Sequence, residues 1–349
     1  MIAVGKWILL TLAVAEAAAG AAPSSPAAMQ AVADATGAGL QADAARAIRR
    51  LRAVPPSQFV GDDDKFRRCM EQRFGGTQWR PSLAAISDPF ARRALAAYQS
   101  YWRAALLQPA AREKAEETLL ATLRRLLARN DLADMDALEP VLQVRLRESG
   151  HYSLQGMTGP LRELMLWSAQ DEQEVRVALP EGTHTTKVML LDDFSSFGWT
   201  AFATCERRST GGWATTEALF AVRPRYATID DEEFRVSFLG HETQHFSDYE
   251  RFPSLPQWEL EYRAKLTELA QADETRAKVL RKFDEDQGDD PASPHAYANK
   301  RVLAALRQRL ALPAGAPLDG VDIAALQAAA SEELREDSRR RAVPARPAM

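Results

Sequence analysis

Cysteine is almost absent from this chain: there are two in 349 residues, Cys69 and Cys205. So few exclude a disulfide-stapled fold, and their spacing excludes a cysteine zinc site. They can pair with each other or stay as separate buried thiols, and the sequence leaves both open. Histidine is also scarce, at five residues. No apolar run reaches the ~20 residues of a bilayer span, so stable membrane insertion is not expected. Basic excess is missing too, since the net charge is −4. A surface without sustained positive charge has no means to release counterions from a nucleic-acid backbone, and nucleic acid is not an expected partner. Neither a Gly-x-Ser-x-Gly elbow nor a Gly-x-x-x-x-Gly-Lys phosphate loop occurs, which leaves nucleophilic serine chemistry and phosphate cradling without support.

What is present describes an ordinary globular body, with 46% hydrophobic and 26% charged residues. Residues 1–22 read as a signal peptide: Lys6 gives a short positive start, residues 7–15 an apolar run, and residues 17–22 a small-residue patch suited to cleavage. The mature protein is therefore expected in the periplasm or outside the cell. From about residue 27 to 167 apolar residues recur at threes and fours, as in Phe90, Leu95, Tyr98, Tyr101 and Trp102, which predicts helices with an ordinary core. After Gln173 short runs with β-branched and aromatic residues (EVRVALP, TKVMLLDDF, WTAFATCE, WATTEALFAV) predict a sheet of three to five strands. Helical pattern returns from about Asp231. The charged segment from Ser331 onward is expected to fray. The expected fold is α+β and mostly helical: a helical domain over 23–170, a small sheet with helices over 171–312, and a C-terminal helix and flexible tail over 313–349.

Two of the five histidines stand four apart in "SFLGHETQHFSDYERFP". Asp230 can cap the helix, with Glu233 three residues later as its capping partner. Phe234, Phe238, His241 and His245 then follow at spacings of four, three and four, so both imidazoles continue the buried stripe. Side chains four apart stand one above another, and two imidazoles so placed can share one zinc ion. Glu242 sits about 100° round the helix, beside the metal and free of it. A third ligand is needed from elsewhere, and in "WELEYRAKL" either Glu261 or Glu259 can lean in, Glu261 being favoured over Glu259. Downstream, "SPHAYAN" places His295 and then Tyr297 at a helix start, where a donor to a developing oxyanion can sit.

His241-Glu242-Thr243-Gln244-His245 followed by a glutamate-bearing helix resembles the gluzincin metallopeptidases, over about residues 199–269. The resemblance implies a zincin-like catalytic domain in which His241, His245 and Glu261 hold Zn2+. Glu242 would take the proton of the metal-bound water, and His295 or Tyr297 would steady the oxyanion. The "GGWATTEALFAV" segment would be the edge strand that receives an extended peptide or protein substrate. Many members carry an aspartate four residues after the ligand glutamate to orient a zinc histidine; this chain has Lys265 there, and Arg263 at that offset from Glu259, so Asp248 is the substitute candidate. Two other readings stand beside this one. A di-iron site would need a second Glu-x-x-His on a helix, and those at Glu148–His151 and Glu181–His184 contain turn-forming glycine. An exported binding protein with a structural zinc would keep the metal and lack hydrolysis. His151 and His184, in the same glycine-containing turns, are expected at the surface.

Overall fold

A computed structural model describes residues 23–342 apart from 77, 82, 84, 85 and 216. The expected signal peptide thus lies outside the described residues, as do residues 343–349. The chain is mostly helical α+β. It opens with α1 (Pro26–Leu40), α2 (Ala44–Arg52), α3 (Gly61–Phe74), α4 (Pro89–Leu107), α5 (Arg112–Leu127) and α6 (Met135–Glu148). Side-chain caps from Ser25, Asp43, Asp88 and Asp134 start four of these helices, each accepting an N–H that the first turn would leave unpaired. Their apolar faces meet in a core of Leu95, Tyr98, Trp102, Leu119, Leu142 and their neighbours.

The sheet begins earlier than its expected start after Gln173. Its strands are β1 (Tyr152–Thr158), β2 (Leu161–Leu179), β3 (Gly182–Phe197), β4 (Gly212–Ala214) and β5 (Leu219–Val222), in the order β1-β2-β3-β5-β4. Residues 152–167 were expected to be helical because Leu, Met, Glu and Arg favour helices. Here strand pairing overrides that preference: β1 lies antiparallel to β2, and Leu161, Leu164 and Leu166 close the helical core. WTAFATCE, expected as a strand, instead contains helix α7 (Gly198–Ala203), whose Trp199 and Phe202 also plug into that core. Gly198 permits the plug, because a Cβ there would stand 2.3 Å from Glu163 Oε1. Cys69 and Cys205 form a disulfide with Cα atoms 6.2 Å apart, pinning α3 to the turn after α7.

β2 and β3 make a long antiparallel hairpin, β5 runs parallel to β3, and β4 pairs with β5 at the sheet edge. Alternation along β3 sends Val188 and Leu190 to one face and Met189 and Leu191 to the other. The Val188 face packs on Phe234, Phe238 and Leu239, within a π-helical stretch, Glu233–Gly240. This stretch leads straight into α8 (His241–Arg251), followed by α9 (Gln257–Gln271), α10 (Arg276–Glu285), α11 (Pro294–Arg309) and α12 (Ile323–Ala342). The cap of the π-helical turn is Asp231, whose Oδ1 accepts from Phe234 N at 2.8 Å; the expected cap, Asp230, is one residue early, and Glu233 pairs with Lys278 instead of closing a capping box. Residues 331–342 do not fray: they are helical and bury Glu333, Leu334, Asp337 and Ser338. No helix among the described residues is long and apolar enough to cross a membrane.

Candidate metal centre

Helix α8 brings His241 and His245 to one side as their spacing requires, and α9 meets them with Glu261. His241 Nε2 is 3.5 Å from Glu261 Oε2, and His245 Nε2 is 3.6 Å from Glu261 Oε1. All three side chains are buried, and their ligand atoms lie within 4.8 Å of one another. Those separations are long for hydrogen bonds. They fit a shared cation, since neighbouring ligand atoms around a tetrahedral ion with bonds of about 2.0–2.1 Å stand about 3.3–3.4 Å apart. Glu261 Oε2 has no hydrogen bond although it is buried, which is the signature of a group prepared for a partner other than protein. The group can hold one metal ion.

Glu259, the competing ligand, is drawn away by Arg341 at the end of α12. The helix geometry behind that choice is simple: Glu259 and Glu261 are two residues apart, so they face different neighbours. Burial opposes charge on the His241 ring, yet Glu261 and Glu268 together raise its pKa to about 9. Burial also works against the Glu261 carboxylate, and the imidazoles of His241, His245 and His295 overcome it, holding the acid well below its usual range.

Glu268 is a site residue that sequence reasoning missed. It is buried, and its Oε2 lies 3.5 Å from His241 Nδ1, behind the ring. A carboxylate behind a metal-binding imidazole is the usual support of the ring's other nitrogen, and Glu268 stands in that place without a hydrogen bond to Nδ1. Its signal was available, since Glu268 stands seven residues after Glu261 and two helical turns bring it to the same face. Lys265, at the position where an aspartate was sought, is buried with Nζ 3.8 Å from Glu261 Oε2 and 4.7 Å from the centre of the Phe283 ring. Asp248, the substitute candidate, bonds Arg263 and Gln244 rather than either imidazole.

Glu242 is half-buried and has no side-chain hydrogen bond or ion pair among the described residues. Its charge is felt by Tyr226, whose phenol, already raised by burial, donates to Gly211 O at the start of the edge-strand segment. The "GGWATTEALFAV" segment forms two strands, and its first, β4, is the sheet edge. Gly212 lets β4 lie close against the π-helical turn, for a Cβ would stand 2.5 Å from the Phe238 ring. His295 is 65% exposed, with Nδ1 2.8 Å from Glu261 Oε2, close but out of line for a hydrogen bond. Tyr297 turns elsewhere: its ring packs edge-on against Trp258 and its hydroxyl meets Arg301.

The remaining histidines stay outside the group. His151 is buried, contrary to the exposed position expected of it, because its Nδ1 contacts Ser149 O at 3.0 Å behind the end of α6. His184 lies on β3 and stacks on Phe246 of α8. Comparison of the chain with known protein families, with characterised proteins and with solved structures finds no match.

Proposed function

We propose that this chain is an exported zinc-dependent metallopeptidase of the gluzincin kind, hydrolysing peptide or protein substrates. The observation that carries the reading is the convergence of two Nε2 atoms on one buried carboxylate, with an uncommitted acid, Glu242, on the same helix. Three protein ligands rather than four leave a coordination position open, as catalytic zinc requires and structural zinc does not. When bound, zinc supplies a Lewis acid that polarises a carbonyl and acidifies water. Glu242 is the group free to take a proton from water and return it to the departing amine. His295, exposed at the N-terminus of α11, faces the same carboxylate group and is the donor for a negatively charged substrate oxygen, with the helix dipole adding to its effect. The edge strand β4 gives an extended substrate backbone a place to pair. Export accords with the disulfide, which persists in oxidising compartments.

The test is chelator-sensitive hydrolysis of a mixed peptide library. Glu242→Gln is expected to bind zinc as the parent does and to lose activity by about 10²–10⁴-fold, the usual contribution of a general base. A parent that binds zinc and hydrolyses nothing would instead be a binding protein with a structural metal, and the enzymatic reading would fall.

A further inference from the structure

Arg263 is wholly buried, with 0% exposure, and it faces two helices and the tip of a hairpin at once. Nε donates to Asp248 Oδ2 on α8 at 2.9 Å, and Nη1 to Asp337 Oδ2 on α12 at 2.8 Å. Nη2 donates to Glu181 Oε2, at the tip of the β2–β3 hairpin, and to Ser338 Oγ on α12, each at 3.0 Å. The other oxygen of Asp248 accepts from Gln244 Nε2 at 2.9 Å, and Gln244 Oε1 accepts from Thr267 Oγ1 at 2.8 Å. Gln244 and Asp248 are four apart on α8; Arg263 and Thr267 are four apart on α9. The four side chains therefore mark out a rectangle between the two helices, with polar contacts on three sides and the α9 backbone as the fourth. Among the described residues none of them hydrogen-bonds to the His241, His245 and Glu261 side chains.

We infer that Arg263 is the positioning residue of the metal centre and that α12, through Asp337, is part of that centre's support. The inference rests on the zinc reading above for its significance and on the polar rectangle for its mechanism. With side-chain ends about 5–6 Å from the helix axis, a turn of α8 by about 2° moves them by about 0.2 Å, the tolerance of a metal–ligand bond. The turn before α8 is π-helical, so the regular α winding that sets the direction of the imidazoles begins only at His241. Gln244 lies between the two histidines in sequence, and its bond to Thr267 opposes rotation about the helix axis. The planar fork of an arginine holds three carboxylates in fixed directions, which a lysine point charge does not. Glu181 ties the hairpin tip into the same arrangement, also accepting from Ser338 Oγ at 2.8 Å.

Zinc affinity of the full chain, measured by competition with a chromophoric chelator, tests this. Arg263→Lys and Asp337→Asn are expected to weaken zinc binding by about 10–100-fold, the usual cost of losing an outer support. Tyr262→Phe is the control: it removes the buried bond from Tyr262 to Glu333, at 3.0 Å, between α9 and α12, the pair that Arg263 and Asp337 also join, without touching the rectangle. It should lower the melting temperature and leave zinc affinity unchanged. Should Arg263→Lys fail to fold, Asp337→Asn decides. Unchanged affinity in Asp337→Asn, or an equal loss in Tyr262→Phe, overturns the inference while zinc binding by the parent stands. If the parent binds no zinc, the metal reading falls, and amide hydrogen exchange over residues 241–248 in the metal-free proteins judges the clamp. Exchange faster in Asp337→Asn than in Tyr262→Phe upholds it, and equal exchange overturns it.

Discussion

Helices α4 and α9 are both central to their surroundings, and they are buried by opposite means. α4 hides Phe90, Leu95, Tyr98, Tyr101, Trp102 and Leu106, padded by alanines. α9 is buried through every residue from 260 to 269, and half of what it hides is polar: Glu261, Arg263, Lys265, Thr267 and Glu268. Apolar burial is non-directional and accumulates at roughly 25 cal/mol per Å² wherever the surface is covered. Buried charge is costly unless each group meets a counter-charge in good geometry. α4 can therefore be held by many neighbours, each contributing a little. α9 can be held only by particular partners in particular places, and those partners lie on α8, α11, α12 and the hairpin tip. Such a helix is a weak stabiliser and a strong constraint, which is the property a metal centre needs.

The largest effects should come from attacking each helix at its largest fully buried side chain. Trp102→Ala removes a 1% exposed indole that packs on Tyr98 and Phe202 and donates to Arg162 O, and is expected to cost about 3–5 kcal/mol in urea unfolding. Arg263→Met should cost about the same, about 3–5 kcal/mol, for a different reason: it leaves the buried Asp248 without a cation and takes from Asp337 and Glu181 one of theirs, so that they keep only Arg341 with Arg340 and Arg251 respectively. The contrast sharpens in combination. Adding Asp248→Asn and Asp337→Asn to Arg263→Met should restore part of the stability, whereas no second polar change should rescue Trp102→Ala. Rescue of neither, measured the same way, would mean that α9 is held by its apolar residues after all.

The same contrast explains what could be read from the sequence. Stripes at threes and fours placed α4 and α8, and two histidines four apart, with an acid on the next helix, located the metal group, because those relations are local and set by helix geometry. Mostly helical α+β followed from the texture of the two halves. Strands β1 and the start of β2 were not legible, since Leu, Glu, Arg and Met prefer helices and only pairing with a distant strand overrides them. Nor was the order of residues 331–342, whose charge pattern resembles a solvated tail until Arg263, Tyr262 and Arg309 are brought against it. The role of Arg263 was hidden for the same reason: each of its partners is separated from it in sequence, by 15 residues for Asp248 and 74 for Asp337.

A middle-sized effect tests where the two regimes meet. Glu163 on β2 lies between the helical core and the sheet, accepting from Leu164 N and Trp199 N, each at 2.9 Å, and from Thr158 Oγ1 at 3.0 Å. Burial raises its carboxyl to about 7 in spite of these three donors. A folded pKa above the unfolded one means that the folded state holds the proton longer, so the stabilising contribution is complete below about 4.5 and is lost as pH rises through about 7. Between roughly pH 4 and pH 8 this group should remove about 3 kcal/mol of stability. Glu163→Gln, which keeps an acceptor for the two N–H groups, should flatten that slope and be the more stable protein at the alkaline end. An unchanged slope in urea titrations would show that the donors, not burial, govern this carboxyl.

The smallest expected effect is the most selective. A ligand bound only by the folded chain stabilises it by RT ln(1 + [L]/Kd), about 2.7 kcal/mol when zinc is present at about 100 times its Kd. In α4 that gain should be nearly invisible to hydrogen exchange that proceeds by local opening, because its protection comes from apolar neighbours that the metal does not touch. In α8 and α9 zinc held as proposed would join His241 and His245 to Glu261 across the helix interface, so that opening either helix would mean releasing the ion. Exchange should therefore slow in residues 241–248 and 260–268 and not in residues 90–106. His241→Ala should abolish the difference without changing α4. Equal slowing in both regions would mean that the chain opens only as one cooperative unit, and the distinction between its two kinds of burial would have no dynamic consequence.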